Sequence, residues 1–362
     1  MLVSRIEEFI QNQNEQFPLT EAFKNGNRFY SDFIEMIKMF EDNLSDKEQD
    51  NIYNKIENHY SINDIEKYFQ CNCELIVLYY ILRNYNSEFK YEPMYNGHFN
   101  PECSFTHNNI TINIEVKTPD YAYRNEQENK GKILLSLPDR SVPLTPTEKG
   151  EKSVIDKFNE SNHNVEIIKS MDNKLKDYLE HSQKKFPNGD NYFNILAIAL
   201  ETPENLDEWY TYILGNNGVF TDSSYVNSNY DNVDAILLCT PIAKLKTWKN
   251  NPNVNVWYLE EAYNLIINDT RKEGTKKERH YSDNVIDIFG SFTRGFVNYL
   301  NEFDKQQNAD LIAFKDVVSL ADLFAFKDIE LSANFFAFHH DELHIVSNYI
   351  YRKDIMMIKN KK

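Results

Sequence analysis

The stretch HFNPECSFTHNNITINIEVKTPD, residues 98–120, decides the fold. From Ile110 onward it alternates strictly: Ile110, Ile112, Ile114 and Val116 face one way, Thr111, Asn113, Glu115 and Lys117 the other. Glu115 and Lys117 must therefore share a face if this segment is a strand. Asn108-Asn109 supplies a two-residue turn, because asparagine tolerates the positive φ that tight hairpins require. With those two residues as the loop, His107 pairs with Ile110, Phe105 with Ile112 and Glu102 with Glu115. Directly opposed residues carry Cβ atoms about 4.5–5.5 Å apart.

Two carboxylates at that spacing destabilise a sheet unless something neutralises them. A hard divalent cation does so, and Mg²⁺ accepts one or two carboxylates together with waters and phosphate oxygens. Lys117 then stands where an ammonium group can orient a water, assist its deprotonation and offset charge on a phosphate.

Before this hairpin lie short amphipathic helices. Leu2, Val3, Ile6, Phe9 and Ile10 recur at helical spacing, as do Phe33, Ile34, Ile37 and Phe40. Ser45-Asp-Lys-Glu48 is a capping box opening a third helix with Ile52, Tyr53 and Ile56 on one side. A second capping signal, Ser61-Ile-Asn-Asp64, opens a longer helix to about Arg83. Its centre, CNCELIVLYYIL, is too apolar for a surface helix, and Glu74 is the lone acid in that run.

Segments 89–95, 102–106 and 110–117 read as three consecutive strands. Residues 119–164, polar and containing Pro119, Pro138, Pro143 and Pro146, read as an insertion or long loop. Ile168, Met171, Leu175, Tyr178 and Leu179 mark a crossover helix that Pro187-Asn-Gly ends. NILAIAL (194–200) is apolar throughout, as expected of a strand covered on both faces. Further strands are expected at 235–239 and 254–259, and helix again from about Asp283. The resulting division is a helical region 1–60, an α/β core 61–262 and a mainly helical region 263–362.

Composition narrows the class. The 362 residues are 41% hydrophobic and 14% aromatic, with only 10 Gly and 11 Pro, which fits a globular chain with a substantial core. No apolar run reaches the roughly 20 residues of a membrane helix, so no membrane partner is expected. The four cysteines, Cys71, Cys73, Cys103 and Cys239, are too few and too unevenly spaced for a disulfide framework, and buried thiols in a cytoplasmic protein are the expectation. A net charge of −17 argues against nonspecific coating of nucleic acid, which needs a basic surface.

Pro101-Glu102, followed on the next strand by Glu115-Val116-Lys117, resembles the PD-(D/E)XK, or restriction-endonuclease-like, nuclease superfamily. The order of elements over roughly residues 61–260 is similar too: an apolar helix, three antiparallel strands, a crossover helix, then a strand parallel to the motif strand. The resemblance implies that Glu102, Glu115 and the Val116 carbonyl bind Mg²⁺ or Mn²⁺, with Glu74 as a further acid from the first helix. It implies that Lys117 serves the attacking water in phosphodiester hydrolysis, most naturally of DNA, in restriction, antiphage defence or repair. Two departures stand out: the first acid is Glu102 rather than Asp, and the segment before the crossover helix is long, so Gln183 on that helix reads as an ordinary exposed residue in preference to an auxiliary one.

Other signals have weaker chemistry. His340-Asp-Glu-Leu-His344 departs from the zinc motif HExxH at Asp341 and lies in a strand-turn-strand pattern. The cluster Arg271, Lys272, Lys276, Lys277, Arg279 and His280 reads either as a solvated loop or as a nucleic-acid contact. The rival function is a catalytically inactive nuclease-fold subunit, a binding scaffold that works with a protein partner or as a homo-oligomer.

Overall fold

The computed structural model describes residues 1–60, 64–86, 88–95, 100–107, 109–121, 126, 130, 133–136, 165–168, 171–202, 205, 209, 212–213, 218–220, 230–250, 254–259 and 263–268. The expected C-terminal helices, the 340–344 histidines and the basic cluster at 271–280 lie outside these residues.

Four helices open the chain: α1 Leu2–Gln11, α2 Pro18–Lys24, α3 Arg28–Asn43 and α4 Asp46–His59. Three of them, α2, α3 and α4, start on a recognisable device. Pro18 begins α2, the Asn27 side chain accepts from Phe29 N at 2.8 Å to cap α3, and Glu48 accepts from Ser45 N at 2.8 Å to complete the capping box of α4. The long helix α5, Ile65–Asn84, is apolar on nearly every side and is capped by Asp64, which accepts from Lys67 N. Ser61 of the predicted cap lies outside the described residues.

Strands β1 Lys90–Tyr91, β2 Cys103–His107 and β3 Ile110–Lys117 form the antiparallel half of a six-stranded mixed sheet. Next come β4 Ile133–Ser136 and β5 Val165–Ile168, helix α6 Met171–Lys185, β6 Tyr192–Ala199, β7 Ala235–Cys239, helix α7 Pro241–Lys246 and β8 Tyr263–Ile267. The sheet order is β1-β2-β3-β6-β7-β8, with β3, β6 and β7 mutually parallel and β8 antiparallel to β7.

The parallel strands are apolar on both faces because both are covered. Ile112, Ile114, Val116, Ile195, Ala197 and Leu237 join α1–α5 in one core. Leu196, Ile198, Ile236 and Leu238 join Leu175 and Leu179 of α6 and Trp209 in another. The result is an α/β protein with helices on either side of a mixed sheet.

The hairpin has the register read from the sequence: Cys103 opposite Ile114, Phe105 opposite Ile112, His107 opposite Ile110, with Asn109 at φ 64° in the turn. Elsewhere the structure corrects the reading. The strand expected at 89–95 shrinks to two residues, since Glu92 adopts a positive φ and Pro93 follows it. Ile168 ends β5 instead of starting the crossover helix, and β4 and β5 form a small parallel sheet, so 119–164 is not wholly loop. Residues 254–259 make no strand: Val256 and Trp257 are buried in the first core, and Trp257 Nε1 donates to Phe29 O at 2.8 Å. The edge strand is instead β8, which follows the boundary drawn at 262 and completes the sheet.

Candidate active site

Strand β3 outruns β2. The β2–β3 ladder stops at Cys103–Ile114, whereas β3 stays paired to β6 through Lys117. Glu115, Val116 and Lys117 therefore form an overhang bonded on one side only, at the carboxyl end of the parallel strands, where open α/β sheets place their ligands. Pro101 has no N–H to donate to a longer β2–β3 ladder, while Glu102 O accepts from Glu92 N at 3.0 Å on the β1 side.

Glu115 is 0% exposed. Its Oε1 is ion-paired with Lys117 Nζ at 2.6 Å and accepts from Lys185 Nζ, in the last turn of α6, at 2.7 Å. Its Oε2 is buried with no hydrogen-bond partner among the described residues. Two cations thus crowd one oxygen while the other carries an unmet desolvation cost.

Glu102 and Glu74 belong to a second group. Lys55 of α4 donates to Glu74 Oε2 at 2.7 Å and to Glu102 Oε2 at 3.0 Å, and pairs with Glu92 Oε1 at 3.6 Å. Burial opposes the charge on Lys55, but Glu74 and Glu102 outweigh it and hold its pKa well above the ordinary lysine value. Burial, and then the Glu102 charge, raise Glu74 to about 7, while Lys55 and Lys117 pull it down. Lys117 therefore connects the two groups: it bonds Glu115, and its charge acts on Glu74.

The expected pair of acids facing each other across a ladder is thus revised. Glu102 stands one residue outside β2, and the neutralising charges in the structure are ammonium groups, from Lys55 on Glu102 and from Lys117 and Lys185 on Glu115. Among the described residues, no three acidic, cysteine or histidine side chains stand close enough together to hold a metal ion. Gln183 is half-buried, not exposed; its carbonyl accepts from Asn232, and Lys185, two residues on, makes the contact with Glu115.

Neither Lys55 nor Lys185 was found from sequence. Lys55 adjoins Ile56 of the buried stripe on α4, which is a faint signal, and its partners lie 19 and 47 residues away. Lys185 ends a helix, where a basic residue is expected for the helix dipole alone. The four cysteines are free and buried. Among the described residues, no helix is long and apolar enough to cross a membrane.

Behind the site, a buried polar row fixes the sheet. Asn194 on β6 accepts from Asn113 Nδ2 at 2.8 Å and donates to the Pro187 and Asn232 carbonyls, each at 2.9 Å, while Asn194 N donates to Asp234 Oδ2 at 2.7 Å. These bonds tie β3, the turn after α6 and the approach to β7 into one unit. They also help set where Lys185 ends up relative to Glu115.

No protein-family model, no curated protein and no solved structure matches this chain.

Proposed function

We propose that this chain is a metal-dependent phosphodiester hydrolase, a nuclease acting on DNA with a restriction-endonuclease-like core. The observation that carries the reading is Glu115: a fully buried carboxylate at the overhanging end of β3, one oxygen held by two lysines and the other without a partner. A protein core gains nothing from such a group, because an unsatisfied buried acceptor is costly. A site that receives a cation and a phosphate gains a great deal.

The donor chemistry fits Mg²⁺ or Mn²⁺. Glu74, Glu102 and Glu115 offer only hard carboxylate oxygens, and the backbone of Val116 lies in the same overhang. When bound, such an ion lowers the pKa of a water and polarises the phosphate. The chain's own groups do the rest. Lys117, paired with Glu115, would orient the attacking water and offset charge on the phosphoryl oxygens. Lys185 steadies the Glu115 carboxylate from the opposite element, so that its free oxygen keeps one direction. The helix-sheet order supports the same reading, with apolar α5, the β1–β3 antiparallel half, crossover helix α6 and parallel β6. Restriction or antiphage defence is the setting that the resemblance suggests.

A second reading, a nuclease-fold scaffold without catalysis, is favoured by the ammonium groups that already neutralise the acids and by the charge of −17. Incubation of plasmid and single-stranded DNA with Mg²⁺ or Mn²⁺, for wild type beside Lys117→Ala, separates the two. The nuclease reading expects wild-type cleavage that falls by about a hundredfold or more in the variant. Equal cutting by both proteins removes Lys117 from the chemistry.

A further inference from the structure

We propose that Lys55 is an internal counter-ion that competes with the divalent cation for the acids of the site. The inference rests on the nuclease reading above and adds to it a residue from outside the core, on helix α4.

An ammonium group has three N–H donors and no acceptor. Lys55 Nζ has three carboxylates around it, Glu74 at 2.7 Å, Glu102 at 3.0 Å and Glu92 at 3.6 Å. Those carboxylates come from α5, from the residue before β2 and from the residue after β1, so one side chain gathers three elements at the overhang. Lys55 is 17% exposed, far less than a lysine on a solvated helix face. Two of its partners, Glu74 and Glu102, are the acids the site needs for a metal.

The same oxygens cannot serve both cations. A metal ion requires carboxylate oxygens at about 2.1 Å, converging on one point. Around Lys55 they instead stand at hydrogen-bond distance from a nitrogen, and among the described residues no three such side chains stand close enough together to hold a metal. A dication seated on Glu74 and Glu102 would also lie within a few ångströms of a like charge, which is strongly repulsive in a partly buried site.

The build of the residue suits displacement. Its backbone is anchored: Ile52 and Ile56 are buried on either side, and His59 Nδ1 lies 2.7 Å from the Lys55 carbonyl. Its head group hangs on a flexible four-carbon stem that can swing without moving the helix. The account predicts a site that is stable and internally neutralised without metal, and that takes up metal at the cost of releasing Lys55.

The test is Mn²⁺ binding to the full chain by titration calorimetry, for wild type, K55Q, K55R and K55Q/E102Q. Thermal melting is recorded in chelator and in Mn²⁺. Removing the competitor should tighten Mn²⁺ binding in K55Q by about tenfold or more, because the competent state no longer has to be released from the lysine. K55R, which keeps the charge, should stay at or below wild-type affinity, and E102Q should abolish the gain. K55Q should melt lower than wild type in chelator and recover in Mn²⁺. If K55Q is unfolded in chelator, refolding on Mn²⁺ addition supports the proposal, and failure to refold overturns it. Equal affinity in wild type and K55Q overturns the role of Lys55 while leaving the nuclease reading standing. No Mn²⁺ binding by either protein removes both.

Discussion

Replacing Lys185 by methionine isolates the contact that ties the crossover helix to the motif strand. Glu115 is 0% exposed and keeps Lys117 at 2.6 Å after the change, so it is left half-compensated rather than bare. Breaking a buried pair outright costs about 3–5 kcal/mol, and a single charge-assisted hydrogen bond contributes about 1.5–3. Lys185 is 24% exposed, which screens part of the interaction, so we expect a loss of about 2 kcal/mol. With an unfolding entropy of about 2.1 cal/mol/K per residue over 362 residues, that is a fall in Tm of about 3 °C.

Urea denaturation followed by tryptophan fluorescence is a suitable assay. Trp209 is buried in the core under α6, and Trp248 and Trp257 in the core under α1–α5, so emission reports on both sides of the sheet. The double variant K185M/E115Q should be barely less stable than E115Q, giving a coupling of about 2 kcal/mol. A K185M protein within about 0.5 kcal/mol of wild type, or additive single and double variants, would refute the pairing.

Two further outcomes follow from the surroundings of the site. Asn194→Ala strands the Pro187 and Asn232 carbonyls and Asn113 Nδ2 in the interior, and should cost about 3 kcal/mol or more, seen as an early denaturation midpoint; a loss under 1 kcal/mol would mean these groups find other partners. Glu74, raised from 4.5 to about 7, keeps its proton in the folded state over a range where the unfolded chain has released it, so its contribution to stability falls as pH rises from about 4.5 to 7. The full shift corresponds to about 3 kcal/mol, and with 26% of the side chain exposed about 1–2 is expected. Unfolding of wild type and E74Q in chelator across this range should show the difference between them changing by that amount; a constant difference contradicts the assignment.

How much could be read from sequence depended on how local the cause was. The β2–β3 register followed from one turn and one alternation, and Asn109 at φ 64° is the conformation that reading needed. The burial of α5 followed from CNCELIVLYYIL, since no polar stripe was left to face water. Strand β6 was legible because both sheet faces are covered. Residues 254–259 misled because Trp257 and Val256 are apolar for a different reason: both are buried in the first core, where Trp257 packs on Phe33 of α3. The acids Glu74, Glu102 and Glu115 were named from the motif, yet what neutralises them was not. Lys55 and Lys185 meet those acids across 19 to 70 residues of chain, and no periodicity encodes which cation a carboxylate will meet.

Crystals grown with Mn²⁺ and measured for anomalous scattering test the central claim most directly. The account predicts a single strong peak at the end of β3, held by Glu74, Glu102 and Glu115, with Lys55 Nζ moved away from Glu74 and Glu102. An anomalous map without a peak there, with Lys55 still bridging Glu74 and Glu102 at saturating Mn²⁺, would contradict it.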